Sequence, residues 1–410
     1  MPPVFPAELI SLILSDLTLE KADLAAACLV SRSFLPLAQE HLYHDIRLEF
    51  VRAYIPTHSY LYPSRELHTR GLLRTLQTSP ELKLLVRRVS MGETGTVRDY
   101  REDKPTDFTR LFSGMTMIES LVFRDACETY ADLFLAAEVD TPLRRLEAPD
   151  VSSTSHWQMI RRYQSSLREL VVRRCSGTIR QAEVPEVQLH LTSLDFDIPE
   201  VYHRSLAGRP PGCPAALVSH STLTLQRLRL RIPTSLFPPL SSFAALAHLH
   251  LHDLGPPIPV FLQTRDDLTS HATELLSQLG ECHNLTRLTL APSSTRTTSP
   301  LLVSILSGTE PSSPSLNLGL SLPPRLEVLN FLSSALSPTQ LLNIVSALPS
   351  ATKLHALGFM EYLPFAPKRG TGIGARGGSG GRVEKPGEMQ ALREACRERG
   401  IRLVRIATTQ

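Results

Sequence analysis

Basic side chains recur at every second position in two short apolar segments of the sequence, and a third such segment carries one more basic residue. Alternate residues of a β-strand lie on the same face, and neighbouring strands lie about 4.8 Å apart, so three such strands would share one basic surface. Guanidinium groups bind carboxylate or phosphate through two oxygens at once, and imidazole adds positive charge below about pH 6.5. The pattern predicts a docking surface for an acidic or phosphorylated protein segment; a solvated charged face is the alternative. The predicted surface consists of Arg227, Arg229, Arg231, His248, His250, His252 and Arg287.

The three alternate histidines also suit zinc, because two imidazoles on one strand face can share an ion. Asp253 is the only carboxylate beside them, and the adjacent arginines would repel a cation. The segment before the arginines places Asp195 and Asp197 at alternate positions, which makes it acidic. The sequence therefore predicts anion binding at this surface and no metal site. The segments after the histidines present small or apolar side chains, namely Val328, Asn330, Ala356, Gly358 and Met360.

A glycine-rich stretch at residues 366–388 is another candidate for chemistry. Gly370, Gly372 and Gly374 alternate there, and glycines allow backbone amides to approach phosphate. No Lys-Ser or Lys-Thr pair ends the stretch and no strand pattern leads directly into it, so a flexible insertion is favoured over RNA contact. The sequence contains neither G-x-S-x-G nor H-E-x-x-H. We therefore predict no catalytic residues, no cofactor and a protein that is not an enzyme.

Composition restricts the class of protein further. The chain has 410 residues, and 43 basic against 40 acidic side chains give a formal net charge of +3, which disfavours a general nucleic-acid binder. Leucine accounts for 69 residues, whereas aromatic residues make up only 6%. The six cysteines contain no C-x-x-C pair, and no stretch has the pattern of a membrane span or a signal peptide. The expected location is the cytoplasm or the nucleus, away from membranes.

A sequence repeat explains the leucine content and would position the basic residues. The pattern apolar-x-x-apolar-x-apolar occurs eleven times between residues 86 and 406, at intervals that average about 31 residues. Helical signatures precede several matches, for example at 72–76 and 341–348. A single unit of this kind cannot bury its apolar side, but stacked units share a continuous core. The basic residues fall in three consecutive matches, Leu225-Leu228-Leu230, Leu246-Leu249-Leu251 and Leu285-Leu288-Leu290.

These units resemble the irregular leucine-rich repeats of many fungal proteins. The resemblance implies an α/β solenoid in which a parallel sheet lines the concave side and helices lie on the convex side. We expect this array over residues 81–410, ending with the match Ile401-Val404-Ile406. Flexible insertions rich in Pro, Ser, Thr or Gly would interrupt the array. They are predicted at 207–216, 292–325 and 366–388.

The first fifty residues have a helical pattern instead. Ser33 is placed to cap a third short helix through its hydroxyl, so three short helices are predicted within residues 1–50. A helical linker over 51–80 would lead into the repeats. So small a unit cannot hide all of its apolar side chains, and some are predicted to contact another protein. The stripe with helical spacing that opens the chain is Leu9, Ile10, Ile13, Leu14 and Leu17.

This segment resembles an F-box. The resemblance depends on Pro6 and Glu8 at the start of the apolar stripe and on the run Leu29-Val30-Ser31-Arg32-Ser33-Phe34. It implies a small all-α domain that binds a Skp-type adaptor, which links in turn to a cullin and a RING subunit. A helical cap that only seals the repeat array is the alternative. The adaptor-binding residues that the resemblance implies are Pro6, Leu9, Ile10, Ile13, Leu14 and Val30.

The two resemblances together imply the substrate-recognition subunit of a Skp-cullin-F-box ubiquitin ligase. The F-box would hold the adaptor, the repeat array would hold a target protein, and the chain itself would catalyse no reaction. Two other functions remain open on the sequence. One is a protein-binding scaffold outside any ligase, and the other, which the charge balance disfavours, is an RNA-associated protein that uses the Gly-Arg insertion and the basic surface.

Overall fold

Short parallel strands connected by helices and loops occur in both of the units into which the chain divides, so the fold is α/β. The first unit comprises residues 1–189 and the second comprises residues 190–410. The boundary falls inside the region 81–410 that the sequence predicts as one array. The structure, a computed structural model, describes residues 6–16, 19–54, 61–67, 70–97, 111–124, 128–149, 154–173, 187–196, 217–230, 237–253, 274–275, 277–292, 322–332, 338–348, 353–359 and 386–406.

Three short helices open the first unit. Apolar residues recur every three or four positions in this segment, so each helix has an apolar side that packs against its neighbours. The bounds of the helices are Ala7–Leu14 for α1, Lys21–Ala27 for α2 and Phe34–His44 for α3. Their apolar sides enclose a small core of Ile10, Leu14, Leu24 and Ala38.

Polar side chains fix the residues at which α2 and α3 begin. A carboxylate oxygen of Asp23 accepts a hydrogen bond from the Glu20 amide at 2.8 Å, as part of a capping box on α2. The prediction that the Ser33 hydroxyl caps α3 is wrong, because Ser33 holds the cap position without a side-chain cap bond. The Ser31 hydroxyl accepts from the Phe34 amide at 3.3 Å instead. The Ser33 hydroxyl lies 2.8 Å from that of Ser31 and is engaged there.

Six strands follow among the described residues of the first unit. Five of them, β1, β3, β4, β5 and β6, pair in parallel in that order, and β2 pairs antiparallel with β1. The strands are β1 (Asp45–Tyr54), β2 (Leu61–Leu67), β3 (Arg88–Val97), β4 (Ser120–Phe123), β5 (Arg145–Ala148) and β6 (Glu169–Val172). The helices between them are α4 (Arg70–Thr78), α5 (Pro80–Lys83), α6 (Glu128–Ala136) and α7 (Thr154–Arg162).

The sequence predicts a helical linker over 51–80, but among the described residues of this segment only the last part is helical. It contains the end of β1 and all of β2 before α4 begins at Arg70. The helical signature at 72–76 falls inside α4. Strand β1 pairs with β3 in parallel, and its buried residues Ile46 and Leu48 lie in register with Val89 and Met91. Strand β1 thus belongs to the sheet.

In the part of the second unit that the structure describes, seven strands form the sheet. They pair in parallel in chain order, so each strand contacts the strand before it and the strand after it in the sequence. The bounds of the strands are β7 (Ser193–Phe196), β8 (Arg227–Leu230), β9 (His248–Asp253), β10 (Arg287–Pro292), β11 (Val328–Phe331), β12 (Ala356–Phe359) and β13 (Arg402–Arg405).

The apolar positions of the repeat pattern fill the core beneath this second sheet. Their side chains are buried because residues of strand spacing two share one face. One buried row runs in register across the sheet and consists of Leu194, Leu228, Leu249, Leu288, Leu329 and Leu357. The final match is wrong by one residue, since Leu403 and not Val404 lies opposite Leu357. Residues 401–406 carry apolar side chains in both phases of a strand, so the pattern alone could not select the register.

Two helices of the second unit lie near its end. The bounds are Pro338–Ala347 for α8 and Pro386–Glu398 for α9. The Arg399 guanidinium joins them, because it donates to the carbonyl oxygen of Leu348 at 2.6 Å and to that of Ser346 at 3.1 Å. Between β8 and β9 the described residues include a 3-10 turn, Leu240–Ser242. In the described part of the chain, no helix combines the length and apolar character needed to cross a membrane.

The predicted insertions lie mostly outside the described residues. The first insertion, 207–216, lies entirely outside them. So do residues 293–321 of the second insertion and residues 360–385, which include most of the third. Residues 386–388, predicted as part of the third insertion, form the first turn of α9. Asp197, Arg231 and Met360 also lie outside the described residues.

Truncation of the buried leucine row should destabilise the second unit strongly. Leu249 is 2% exposed, and we expect Leu249→Ala to lower the free energy of unfolding by about 2–5 kcal/mol, because the lost methyl groups leave a cavity. Leu223 is 76% exposed, so Leu223→Ala should change stability by less than about 0.5 kcal/mol. Urea denaturation followed by circular dichroism measures both effects. Equal denaturation midpoints for the two variants would contradict the burial of the row.

Candidate functional site

The first candidate site is the N-terminal apolar surface, which we define as Pro6, Leu9, Ile13, Leu29 and Val30. Pro6 precedes α1, and the last two residues lie in the turn after α2. The four side chains after Pro6 are between 48% and 87% exposed. Large apolar side chains exposed in this number on three short helices mark a surface that another protein can cover.

Two further residues predicted to meet an adaptor, Ile10 and Leu14, lie inside the helical core, where each is 5% exposed. They are four positions apart on α1 and so occupy one stripe of the helix. Leu9 and Ile13 are also four positions apart, and they form the adjacent exposed stripe. The six predicted residues thus separate into four that are open to contact and two that support the surface from within.

Sequence reasoning missed three exposed apolar residues of this segment, Leu12 on α1, Leu29 in the turn after α2 and Leu35 on α3. The backbone amide of Leu29 donates to the carbonyl oxygen of Ala26 at 2.9 Å, and that of Val30 donates to Ala27 at 3.1 Å. These bonds hold the turn in which both side chains point to solvent. The position of Leu29 next to Val30 could have identified it from the sequence, since a tight turn exposes consecutive residues.

The second candidate site is the basic face, which comprises Arg227, Arg229, His248, His250, His252 and Arg287. These residues belong to β8, β9 and β10, whose parallel pairing aligns them in rows. Arg227, His248 and Arg287 are in register across the three strands, and we call this set the Arg-His-Arg row. The structure therefore brings together every predicted residue of this surface that it describes.

A second row of the basic face has partners within the protein. Asp195, Arg229, His250 and Thr289 are in register on four neighbouring strands. Arg229 Nη1 lies 3.6 Å from Asp195 Oδ2, so the acidic strand β7 compensates the charge of Arg229. The imidazole rings of His250 and His252 stack with 4.7 Å between centroids and 15° between planes. Arg229 and His250 of this row therefore already have partners within the protein.

The Arg-His-Arg row is electrostatically different. Arg227 and Arg287 are exposed and His248 is partly buried. Burial lowers the pKa of His248 from its ordinary value, and the positive charges of Arg287 and Arg227 lower the pKa further. Among the described residues, Arg229 is the arginine of the basic face that forms an ion pair. The row thus concentrates positive charge without a compensating carboxylate in the part of the chain that is described.

Two arginines of the first unit, by contrast, are paired with carboxylates. Arg145 lies 3.2 Å from Glu169 and 3.8 Å from Glu147, while Arg173 lies 3.2 Å from Glu147. These pairs connect β5 to β6 and to the residue that follows β6. Both arginines therefore have an acidic neighbour, as Arg229 has in the second unit.

The later strands of the second unit continue the sheet with small and apolar side chains. Val328 and Ala356 extend the line of the Arg-His-Arg row onto β11 and β12. In the next row Asn330 Nδ2 donates to Thr289 Oγ1 at 3.3 Å. A Cβ atom at Gly358 would clash with Asn330 Oδ1, so glycine at this position leaves room for the amide. The sheet therefore changes from basic to apolar within two strands.

Metal binding and thiol chemistry have little support at either site. Among the residues that the structure describes, no group of three His, Cys, Asp or Glu side chains is arranged to hold a metal ion. Burial, with a smaller contribution from Glu281, raises the pKa of Cys282 to about 11. Burial also raises the pKa of Cys28 and of Cys396. These thiols stay protonated at neutral pH, which makes them poor nucleophiles.

Comparison with known proteins adds no assignment to these surfaces. No family model matches the sequence, and no curated protein matches it at a significant level. The resemblance to F-box and leucine-rich-repeat sequences therefore depends on the residues quoted for it above.

Proposed function

We propose that the chain is the substrate-recognition subunit of a Skp-cullin-F-box ubiquitin ligase. The N-terminal apolar surface would bind a Skp-type adaptor, and the sheet of the second unit would bind a target protein. The chain would contribute proximity, because it holds the lysines of a target close to a conjugating enzyme recruited through the cullin. No covalent step would be carried out by the chain itself.

The observation that carries the proposal is the division of apolar residues on α1–α3. Ile10, Leu14 and Leu24 already fill a core, so the exposure of Leu9 and Ile13 is not explained by the packing of the helices. Transfer of such side chains from water into an interface is worth about 25 cal/mol per Å² of apolar surface. A helical adaptor with an apolar groove is a partner that would obtain this free energy.

Co-expression of the full chain with a Skp-type adaptor tests the proposal. We expect a 1:1 complex that survives size-exclusion chromatography and that binds a cullin when the cullin is added. A complex that forms but fails to take up the cullin would favour a scaffold outside any ligase. Recovery of the chain without the adaptor would overturn the adaptor-binding role.

A further inference from the structure

We infer that the Arg-His-Arg row is a binding site for a phosphorylated serine or threonine in a partner protein. The inference deepens the proposed function, and it rests on that function in taking the second unit as the surface that holds the target. Within the larger basic face, it assigns binding to Arg227, His248 and Arg287. It also predicts that this row binds phosphate more tightly than carboxylate.

The selection of these three residues follows from the charges around them. The neighbouring row pairs Arg229 with Asp195 at 3.6 Å, so part of the basic face is already neutralised by the protein. Arg227 and Arg287 are both exposed, and their charges add to burial in lowering the pKa of His248. Two cationic groups therefore flank one imidazole, and an anion that binds between them relieves the repulsion.

The selection of phosphate follows from spacing. Arg227 and Arg287 stand on either side of the strand that carries His248, so their backbones are about 9.6 Å apart, or two strand spacings. An anion above His248 is thus within reach of both guanidinium groups and of the imidazole. A phosphate monoester offers three terminal oxygens and nearly two negative charges, one oxygen for each of the three groups. A carboxylate offers two oxygens and one charge.

Proton uptake is a consequence of this arrangement. The charged groups that face His248 are Arg227 from β8, Arg287 from β10 and, on its own strand, His250. Burial and the charges of Arg287 and Arg227 disfavour the imidazolium in the free protein, whereas a bound dianion favours it. The complex therefore holds more protons than the free components between the lowered pKa of free His248 and its higher pKa in the complex, so affinity rises as the pH falls towards about 6.5. Below about pH 6 the phosphate itself takes up a proton and the gain ends.

The apolar end of the sheet adds a sequence preference. Val328, which is partly exposed and offers the apolar contact, and Ala356, which is buried, lie two and three strands beyond His248 in the same line, which corresponds to about 10–14 Å. An extended peptide advances about 3.3 Å per residue, so three or four residues cover this distance. We expect an apolar side chain three or four residues from the phosphorylated residue, on one side of it.

The test uses the purified full chain without any adaptor and three degenerate peptide pools. The pools share a fixed central residue, which is phosphothreonine, threonine or glutamate. Fluorescence titration should give the tightest binding for the phosphothreonine pool, at least tenfold weaker binding for the glutamate pool and no saturation for the threonine pool. Sequencing of the retained phosphothreonine peptides should show apolar enrichment at the third or fourth position on one side.

Variants assign the binding to the row. Arg227→Gln combined with Arg287→Gln should weaken binding of the phosphothreonine pool at least tenfold, because two charge-assisted contacts are lost. The corresponding double Lys variant should recover part of the affinity, which controls for folding. Arg393→Gln, an exposed arginine on α9, should bind as the original chain does. His248→Gln should remove the rise in affinity between pH 8 and 6.5.

Several results would overturn the inference. They are equal affinity for the phosphothreonine and glutamate pools, unchanged binding by the double Gln variant, and displacement of the phosphothreonine pool by polyuridine RNA at lower concentrations than by phosphothreonine peptide. The peptide measurements contain no adaptor, so an absence of phosphopeptide binding would not affect the test of the adaptor complex. Failure of the adaptor complex likewise leaves the peptide measurement intact.

Discussion

An Ile13→Asp variant, combined with Pro6→Ala, is expected to lose both the Skp-type adaptor and the cullin from affinity purifications while it keeps its fold. Ile13 is 57% exposed, so an aspartate there stays hydrated in the free chain. In an apolar interface the same carboxylate would be buried without a partner, which costs about 3 kcal/mol or more. Adaptor binding should therefore weaken about a hundredfold. Quantitative mass spectrometry of the purified material measures the loss.

A matched control separates this effect from a general effect of surface charge. Leu223 is an exposed leucine of the second unit, and Leu223→Asp should leave adaptor recovery unchanged. Ile10→Asp shows what loss of the fold would look like, because Ile10 belongs to the helical core and its replacement should unfold α1–α3. If the Pro6→Ala, Ile13→Asp chain and the original chain recovered adaptor equally, the N-terminal apolar surface would not be the contact.

Charge reversal on the basic face should have the complementary outcome. Arg227→Glu combined with Arg287→Glu replaces two attractive groups by two repulsive ones, and we expect the target proteins to be lost while the adaptor is retained. Like-charge juxtaposition at an interface costs several kcal/mol, so target recovery should fall at least a hundredfold. Cross-linking in cells followed by quantitative mass spectrometry compares the targets of the two chains.

The control for charge reversal is Arg393→Glu, which changes net charge in the same direction at an exposed position of α9. Its targets should match those of the original chain. Two reciprocal losses, of adaptor in the first experiment and of targets in the second, would assign the two roles to two surfaces. Retention of the same targets after charge reversal would reduce the basic face to ordinary solvated surface.

Much of the strand arrangement could be predicted from the sequence because burial enforces a spacing of two. Leu228 and Leu230 or Leu249 and Leu251 can only share a face if the backbone is extended, and the sheet aligns them. Strand β1 was missed although Tyr43, Ile46 and Leu48 repeat the same apolar spacing. A tyrosine in place of an aliphatic residue, at the end of α3, concealed the match.

The candidate sites were predictable in position but not in detail. Register places Arg227 beside His248, because parallel neighbours with equal apolar spacing align residue by residue. The 3.6 Å approach of Asp195 to Arg229 depends on how two side chains settle across strands, and residue spacing does not determine this. The exposure of Leu29 depends in the same way on a turn whose geometry is set by backbone hydrogen bonds.

The ion pair between Asp195 and Arg229 bears on how the basic face can change over evolution. Asp195 places a carboxylate beside Arg229 and so lowers the positive charge at that position. Exchange of Asp195 for asparagine would remove this negative charge and leave the buried leucines untouched. If the basic face binds a target as proposed, one polar substitution would therefore change its preference for anions without altering the residues that stabilise the sheet.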